Sequence, residues 1–153
     1  MAAISCEKRI AAMGRSYNRV SQQESSMPRT AIHSDRAPAA IGPYSQATRA
    51  GNLVFFSGQV PLDPATGNLV EGDIMAHARQ AFGNLKAVCE ASGGTMDDIV
   101  RVGLYLTDLS QFAAVNAVMA EYFAQPYPAR STIEVSALPR GAVFEVDAIL
   151  VLP

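Results

Sequence analysis

Apolar residues recur every three or four positions between Asp73 and Ala91, at Ile74, Ala78, Ala81, Leu85, Val88 and Cys89. That spacing draws one buried stripe along a helix. Asp73 is suited to cap its start, and Gly93-Gly94 supplies a permissive stop. The period then changes from three or four to two. Over Ile99–Thr107, Val100, Val102, Leu104 and Leu106 alternate with other residues, the mark of a half-buried strand. A second helix follows Asp108 or Ser110, carrying Phe112, Val115, Met119 and Tyr122, and it must end near Pro126 and Pro128.

On either side of this block the chain reads as strands. Thr30–His33 is a short extended segment, and Ala37–Pro43 is broken by prolines and a glycine. Tyr44–Arg49 and Leu53–Gln59 form a strand pair joined at Ala50-Gly51-Asn52. Pro61, Asp63-Pro64 and Thr66-Gly67-Asn68 mark a long loop. Two last strands, Ser131–Ser136 and Val143–Val151, are linked through Leu138-Pro139-Arg140-Gly141. The order predicts an α+β layer: a single sheet with two helices packed on one face. A sheet covered on one side leaves its other face in need of a partner, which favours an oligomer.

Composition narrows the classes. A chain of 153 residues, 49% of them apolar, makes one domain with a core of its own. The formal net charge of −2 argues against a surface built to neutralise phosphates, so no nucleic-acid partner is expected. No apolar run approaches a membrane span. Cys6 and Cys89 show no metal-ligand or redox spacing, and His33 and His77 stand alone, so no metal is expected. These features predict a soluble protein of a reducing compartment. The first 26 residues differ from the rest. They mix Lys8, Arg9, Arg15 and Arg19 with serines and read as a disordered or targeting-like extension; Met27 is an alternative start, and the domain is taken as 27–153.

Within the last strands, the period of two places Arg130, Thr132 and Glu134 on one face and Ile133 and Val135 on the other. It likewise sets Glu145 and Asp147 opposite Phe144 and Val146. If the two strands pair antiparallel across their link, Arg130 and Glu145 share a face. A guanidinium fork grips a small carboxylate, and a nearby carboxylate can hold or deprotonate water. The two could equally form an ion pair with each other or at an interface. Tyr44 follows a Gly-Pro turn and reads as a cleft phenol or a strand aromatic. Ser57-Gly58-Gln59 ends a strand with a glycine suited to close approach of a ligand or to a bulge. Asn116 is an amide in an apolar helix that either needs a hydrogen-bond partner or faces solvent.

Several separated motifs in order, over roughly Met27 to the C-terminus, resemble the RidA (YjgF/YER057c/UK114) family. They are Ala37-Pro38-Ala39-Ala40-Ile41-Gly42-Pro43-Tyr44-Ser45-Gln46, Phe56-Ser57-Gly58-Gln59-Val60-Pro61 and Pro128-Ala129-Arg130-Ser131-Thr132-Ile133-Glu134-Val135. Leu138-Pro139 and Phe144-Glu145-Val146-Asp147-Ala148 follow, and Asn84–Val88 and Phe112–Asn116 match in kind. The resemblance implies a chorismate-mutase-like fold assembled as a homotrimer, with sites between subunits. It implies that Arg130 grips the substrate carboxylate, that Glu145 holds the attacking water, and that Tyr44, Ser57, Gly58, Asn116 and Thr132 line the cleft. The implied activity is hydrolysis of 2-iminopropanoate, 2-iminobutanoate and the tautomeric 2-aminoacrylate, made by pyridoxal-phosphate-dependent dehydratases, to 2-oxo acids and ammonia. No cofactor is implied, and the cytoplasm is the expected location. Thr132 stands where many members carry cysteine, which excludes thiol-based regulation there. Alternative readings are an endoribonuclease or translation inhibitor, or a non-catalytic trimer binding small carboxylate metabolites.

Overall fold

The computed structural model describes residues 28–153. The predicted N-terminal extension, with Cys6, lies outside them. Six strands and two helices alternate along the chain: β1 (Thr30–Ile32), β2 (Ala47–Ala50), β3 (Leu53–Gln59), α1 (Ile74–Ala91), β4 (Ile99–Leu106), α2 (Phe112–Tyr122), β5 (Ala129–Glu134) and β6 (Phe144–Val151). All six strands join one mixed sheet in the order β1-β2-β3-β6-β4-β5. Strand β6 runs antiparallel to β3 on one side and to β4 on the other, while β4 and β5 pair in parallel.

The local chemistry explains the elements. Asp73 caps α1 by accepting a hydrogen bond from the Ala76 N–H at 2.9 Å, and beyond the helix Gly93 takes a left-handed conformation at φ 86°. Asp108 caps a single 3₁₀ turn, Leu109–Gln111, that leads into α2. The turn between β2 and β3 is two residues long, with Gly51 at φ 62°.

Both helices lie on one face of the sheet. Phe82 of α1 is fully buried there, stacked on Tyr122 at 5.3 Å and tilted against Phe144 at 5.6 Å between ring centres. Val54, Phe56, Val102, Leu104, Val146 and Leu150 point into the same core. The alternate positions turn away from the helices. Leu53 and Phe55 are 38% and 44% exposed on that other face, where Phe55 stands beside Ile149 and Leu53 beside Val151. Large apolar residues are thus left facing outward from a sheet whose opposite side is dry.

Three expectations need correction. Strands β5 and β6 are not neighbours, because β4 lies between them. The segment before β5 is a strand and a helix, and a strand–helix–strand unit crosses over to pair in parallel. The link after β5 therefore carries the chain past β4 rather than back along β5. Strand β5 also starts earlier than Ser131, at Ala129. The third correction concerns Val100, which is 48% exposed whereas Ile99 is buried. Ile99 pairs with Leu150 and Arg101 with the adjacent Ile149, so Val100 is an extra residue in a bulge and the alternation shifts by one.

Candidate functional site

The predicted site residues fall into two groups on opposite faces of the sheet. Strand β5 pairs Arg130 with Val102 and Thr132 with Leu104, which puts both on the helix side. Strand β6 pairs Glu145 with Tyr105 and Asp147 with Gly103, which puts both carboxylates on the open side. The common face expected for Arg130 and Glu145 depended on direct pairing of β5 with β6 and does not exist within one chain.

Arg130 sits in a cleft of about 500 Å³ lined by Asn116, Met119, Ala120, Tyr127 and Pro128. Its Nη1 donates to Asn116 Oδ1, and its guanidinium carbon lies 5.2 Å from the centre of the Phe112 ring. An amide and an aromatic face therefore aim the guanidinium. Among the described residues no carboxylate lies within ion-pair distance of it. Asn116 thus points at a partner rather than into bulk solvent. The Thr132 hydroxyl, one residue beyond Ser131 on the same strand, is buried without a hydrogen-bond partner among the described residues.

Glu145 belongs to a second cleft of about 380 Å³, which also takes in Tyr44, Ser57, Gly58 and Arg140. Strand β3 bulges there: Phe56 pairs with Ala148 and Gln59 with Val146, so Ser57 and Gly58 together face Asp147 alone. The carboxylate of Glu145 occupies the space a side chain at 58 would need, since a Cβ on Gly58 would come 1.7 Å from Glu145 Oε1. Gly58 serves the close approach of a protein carboxylate. Burial pushes the Glu145 carboxyl above its ordinary value, and the neighbouring Asp147 charge adds to the shift. Such a group is a better proton acceptor than a solvated glutamate.

Asp147 has a seat of the same kind. Its Oδ1 accepts hydrogen bonds from Arg101 Nη1 and the Gly103 N–H, both at 3.1 Å, and its Oδ2 accepts from the Tyr105 hydroxyl at 2.7 Å. A Cβ on Gly103 would lie 2.6 Å from Asp147 Oδ1. The bond to Asp147 raises the Tyr105 phenol above its ordinary range.

Tyr44 is half exposed at the rim, its hydroxyl 3.4 Å from the Ile41 N–H and its ring over Gly42. Ser57 donates its hydroxyl to the Ser45 carbonyl at 2.6 Å, which leaves its lone pairs free but commits its proton. The loop bearing Tyr44 hangs on the buried Gln46, whose Oε1 accepts from the Ser34 N–H at 2.7 Å and whose Nε2 donates to the Pro38 carbonyl at 2.8 Å. Sequence reasoning gave Gln46, Asp147 and Arg140 no role at the site, and it passed over the Arg101–Tyr105 frame of Asp147. The polar residues within strands were the signal for the second group: a glycine, a tyrosine and an arginine at alternate positions of β4.

Comparison with known proteins bears directly on this arrangement. Residues 34–152 match the family described as Endoribonuclease L-PSP, which is the YjgF/RidA family. The chain belongs to this family. One relative, protein DfrA of Myxococcus xanthus, is 56% identical over 82% of this chain and 97% of its own. Another, from Dermatophagoides farinae, is 46% identical over 82% of this chain and 98% of its own, and is named 2-iminobutanoate/2-iminopropanoate deaminase. The crystal structure of RidA from the Antarctic bacterium Psychrobacter sp. PAMC 21119 superposes with a TM-score of 0.78 at 49% identity, covering 80% of this chain and 99% of that one. The RidA-family fold is therefore the α+β fold described above. Names within the family differ, some given for imine deamination and some for ribonuclease activity.

Proposed function

We propose that the protein hydrolyses 2-imino acids such as 2-iminopropanoate and 2-iminobutanoate to 2-oxo acids and ammonia, as a homotrimer whose sites are shared between subunits. The observation that carries the reading is the division of the chemistry between two faces: an aimed arginine, unpaired among the described residues, in one cleft and a partly buried carboxylate in the other. Each is half of a site for a small carboxylate with an electrophilic carbon. The outward apolar residues Leu53 and Phe55 offer a surface on which a second copy can dock and bring its Arg130 to the first copy's Glu145. The deaminase name of the Dermatophagoides farinae relative supports the same chemistry.

In this mechanism Arg130 binds the substrate carboxylate and fixes C2 above the neighbouring chain's Glu145. Glu145 takes a proton from water as the water oxygen bonds to C2 of the protonated imine. The resulting carbinolamine receives that proton on nitrogen, the C–N bond breaks, and ammonia leaves. The remaining hydroxyl proton returns to Glu145 and then to ammonia as the C2 carbonyl forms. Water, imine and proton are balanced by 2-oxo acid and ammonium.

Subunit mixing tests this reading. Arg130→Ala and Glu145→Gln trimers are each expected to be inactive in an assay that generates 2-aminoacrylate and follows 2-oxo acid release. After dissociation and reassembly as a one-to-one mixture, random placement puts an intact arginine beside an intact glutamate in about a quarter of the clefts, and activity should recover to that level. Confirmed mixed trimers with no recovered activity would refute the shared site. RNA cleavage that survives Arg130→Ala would instead favour the ribonuclease name in the family description. Binding of 2-oxo acids without ammonia release would indicate a carboxylate-binding trimer.

A further inference from the structure

The cleft that holds Glu145 is larger and differently charged than a three- or four-carbon imine requires. Its volume of about 380 Å³ falls among pockets that enclose much bigger ligands. Most of its wall is apolar, contributed by Pro38, Ile41, Val60, Leu62 and Pro139, and among the described residues Arg140 is the one cation in it.

Arg140 is placed there by the backbone. It lies between Pro139 and Gly141 with φ 62° and ψ 14°, a left-handed conformation that side chains with a Cβ disfavour, and Gly141 continues at φ 74°. Its Nη2 donates to the Gly67 carbonyl at 3.1 Å. That carbonyl belongs to a loop braced by Asp63, which accepts from the Ala65 and Thr66 N–H groups at 2.9 Å each. The rest of the guanidinium fork is uncommitted among the described residues. Arg36, Arg79 and Arg101 pair with Glu90, Glu121 and Asp147, whereas Arg140 has no carboxylate within ion-pair distance among the described residues.

We propose that Arg140 is a second anion-binding residue of the site, and that the substrates include 2-imino acids whose side chain ends in a carboxylate. The inference rests on the imine-hydrolase reading above and assigns the two arginines different ends of one molecule. Arg130 takes the carboxylate beside the imine carbon. Arg140, from the chain that supplies Glu145, takes the distal one after the side chain has crossed the apolar wall. The class of reaction that supplies such a substrate is oxidation of the Cα–N bond of an acidic amino acid, or loss of water from an acidic amino acid that carries a β-hydroxyl, which leaves the nitrogen on C2.

The products are 2-oxo acids, stable enough to serve as probes. Isothermal titration of the full-length assembled protein should show 2-oxoglutarate binding about tenfold more tightly than 2-oxobutanoate, the scale of a charge-assisted hydrogen bond discounted for solvent. Arg140→Asn removes the charge with a residue that tolerates the left-handed backbone, and should abolish that preference. Arg140→Lys should restore part of it. Thermal melts of Arg140→Asn and of Arg140→Gly separate loss of the anion site from loosening of the Gly67 loop, since glycine relaxes the backbone yet still lacks the charge. Equal weakening of both oxo acids by Arg140→Asn, or a parent protein that prefers 2-oxobutanoate, would overturn the proposal while leaving imine hydrolysis intact. If the parent binds neither acid, Arg140 makes no anion site and this inference fails, whereas the imine-hydrolase reading fails only if the parent also releases no 2-oxo acid from 2-aminoacrylate.

Discussion

Replacing Gly58 by alanine tests the seat of the carboxylate proposed to activate water with a single methyl group. The new Cβ would lie 1.7 Å from Glu145 Oε1, 2.7 Å from Cδ and 3.0 Å from Cγ. Carbon and oxygen need roughly 3.2 Å or more, so the carboxylate must retreat by about 1.5 Å. The displaced atoms are the far end of a flexible side chain, and Gly58 does not hold a positive φ, so the backbone accepts alanine. The cost to the fold should therefore be about 1 kcal/mol, the price of an unfavourable rotamer. The cost to the reaction is larger, because misplacing a reacting group by about 1 Å lowers rate on the order of a hundredfold. Arg130 is untouched, so the loss should fall on kcat and leave KM within about twofold. Steady-state kinetics with enzymatically generated 2-aminoacrylate, beside a thermal melt, measure both quantities. A Gly58→Ala protein that melts normally and turns over at the parental rate would show that the position of Glu145 at Gly58 has no part in catalysis.

Other perturbations follow from the same geometry. Asp147→Asn removes the charge that helps hold the Glu145 carboxyl above its ordinary value, so the acidic limb of the pH–rate profile should move to lower pH; an unmoved limb would assign that limb to another group. Glu145→Gln should raise Tm at pH 7 and leave it unchanged near pH 4. With a native carboxyl raised above 4.5, the folded chain binds the proton more tightly, so this group's stabilisation is present at low pH and is lost as pH rises through its native value. An equal rise at both pH values would point to packing instead. Asn116→Ala frees Arg130 from its orienting amide and should raise KM roughly five- to tenfold with a smaller change in kcat, read from initial rates.

The helices and most strands were legible because each has one dry face. The stripe of α1 and the cap at Asp73 agree with the structure, as do the alternations of β4 after Val102 and of β6. The pairing of strands was harder to read. Periodicity gives the face of each residue on its own strand, and it placed Arg130 with Thr132 and Glu145 with Asp147 correctly. It does not say which face of one strand continues into which face of another; the strand–helix–strand order from β4 to β5 was the usable clue. Bulges were illegible for a related reason. Val100 looks like another core valine, and only its pairing partners reveal the extra residue. Gly58 was visible as a glycine allowing close approach, but the group that approaches is a carboxylate on a strand 87 positions further along the chain. Arg140 went unnoticed because its loop looked like a connector, and its value depends on a cleft that no linear pattern draws.

Strand β6 is hydrogen-bonded on both sides, to β3 and β4, whereas β5 has a neighbour on one side only. In a single chain the backbone amides of β5 should open and exchange with solvent far sooner than those of β6, since local opening is cheapest at a sheet edge. Glu145 rides on the slow strand and Arg130 on the fast one. Hydrogen exchange would then register the arrival of a carboxylate as new protection along Ala129–Glu134 against an almost silent Phe144–Val151. The sheet fixes the carboxylate proposed to handle water and leaves the guanidinium proposed to capture the substrate on an edge strand.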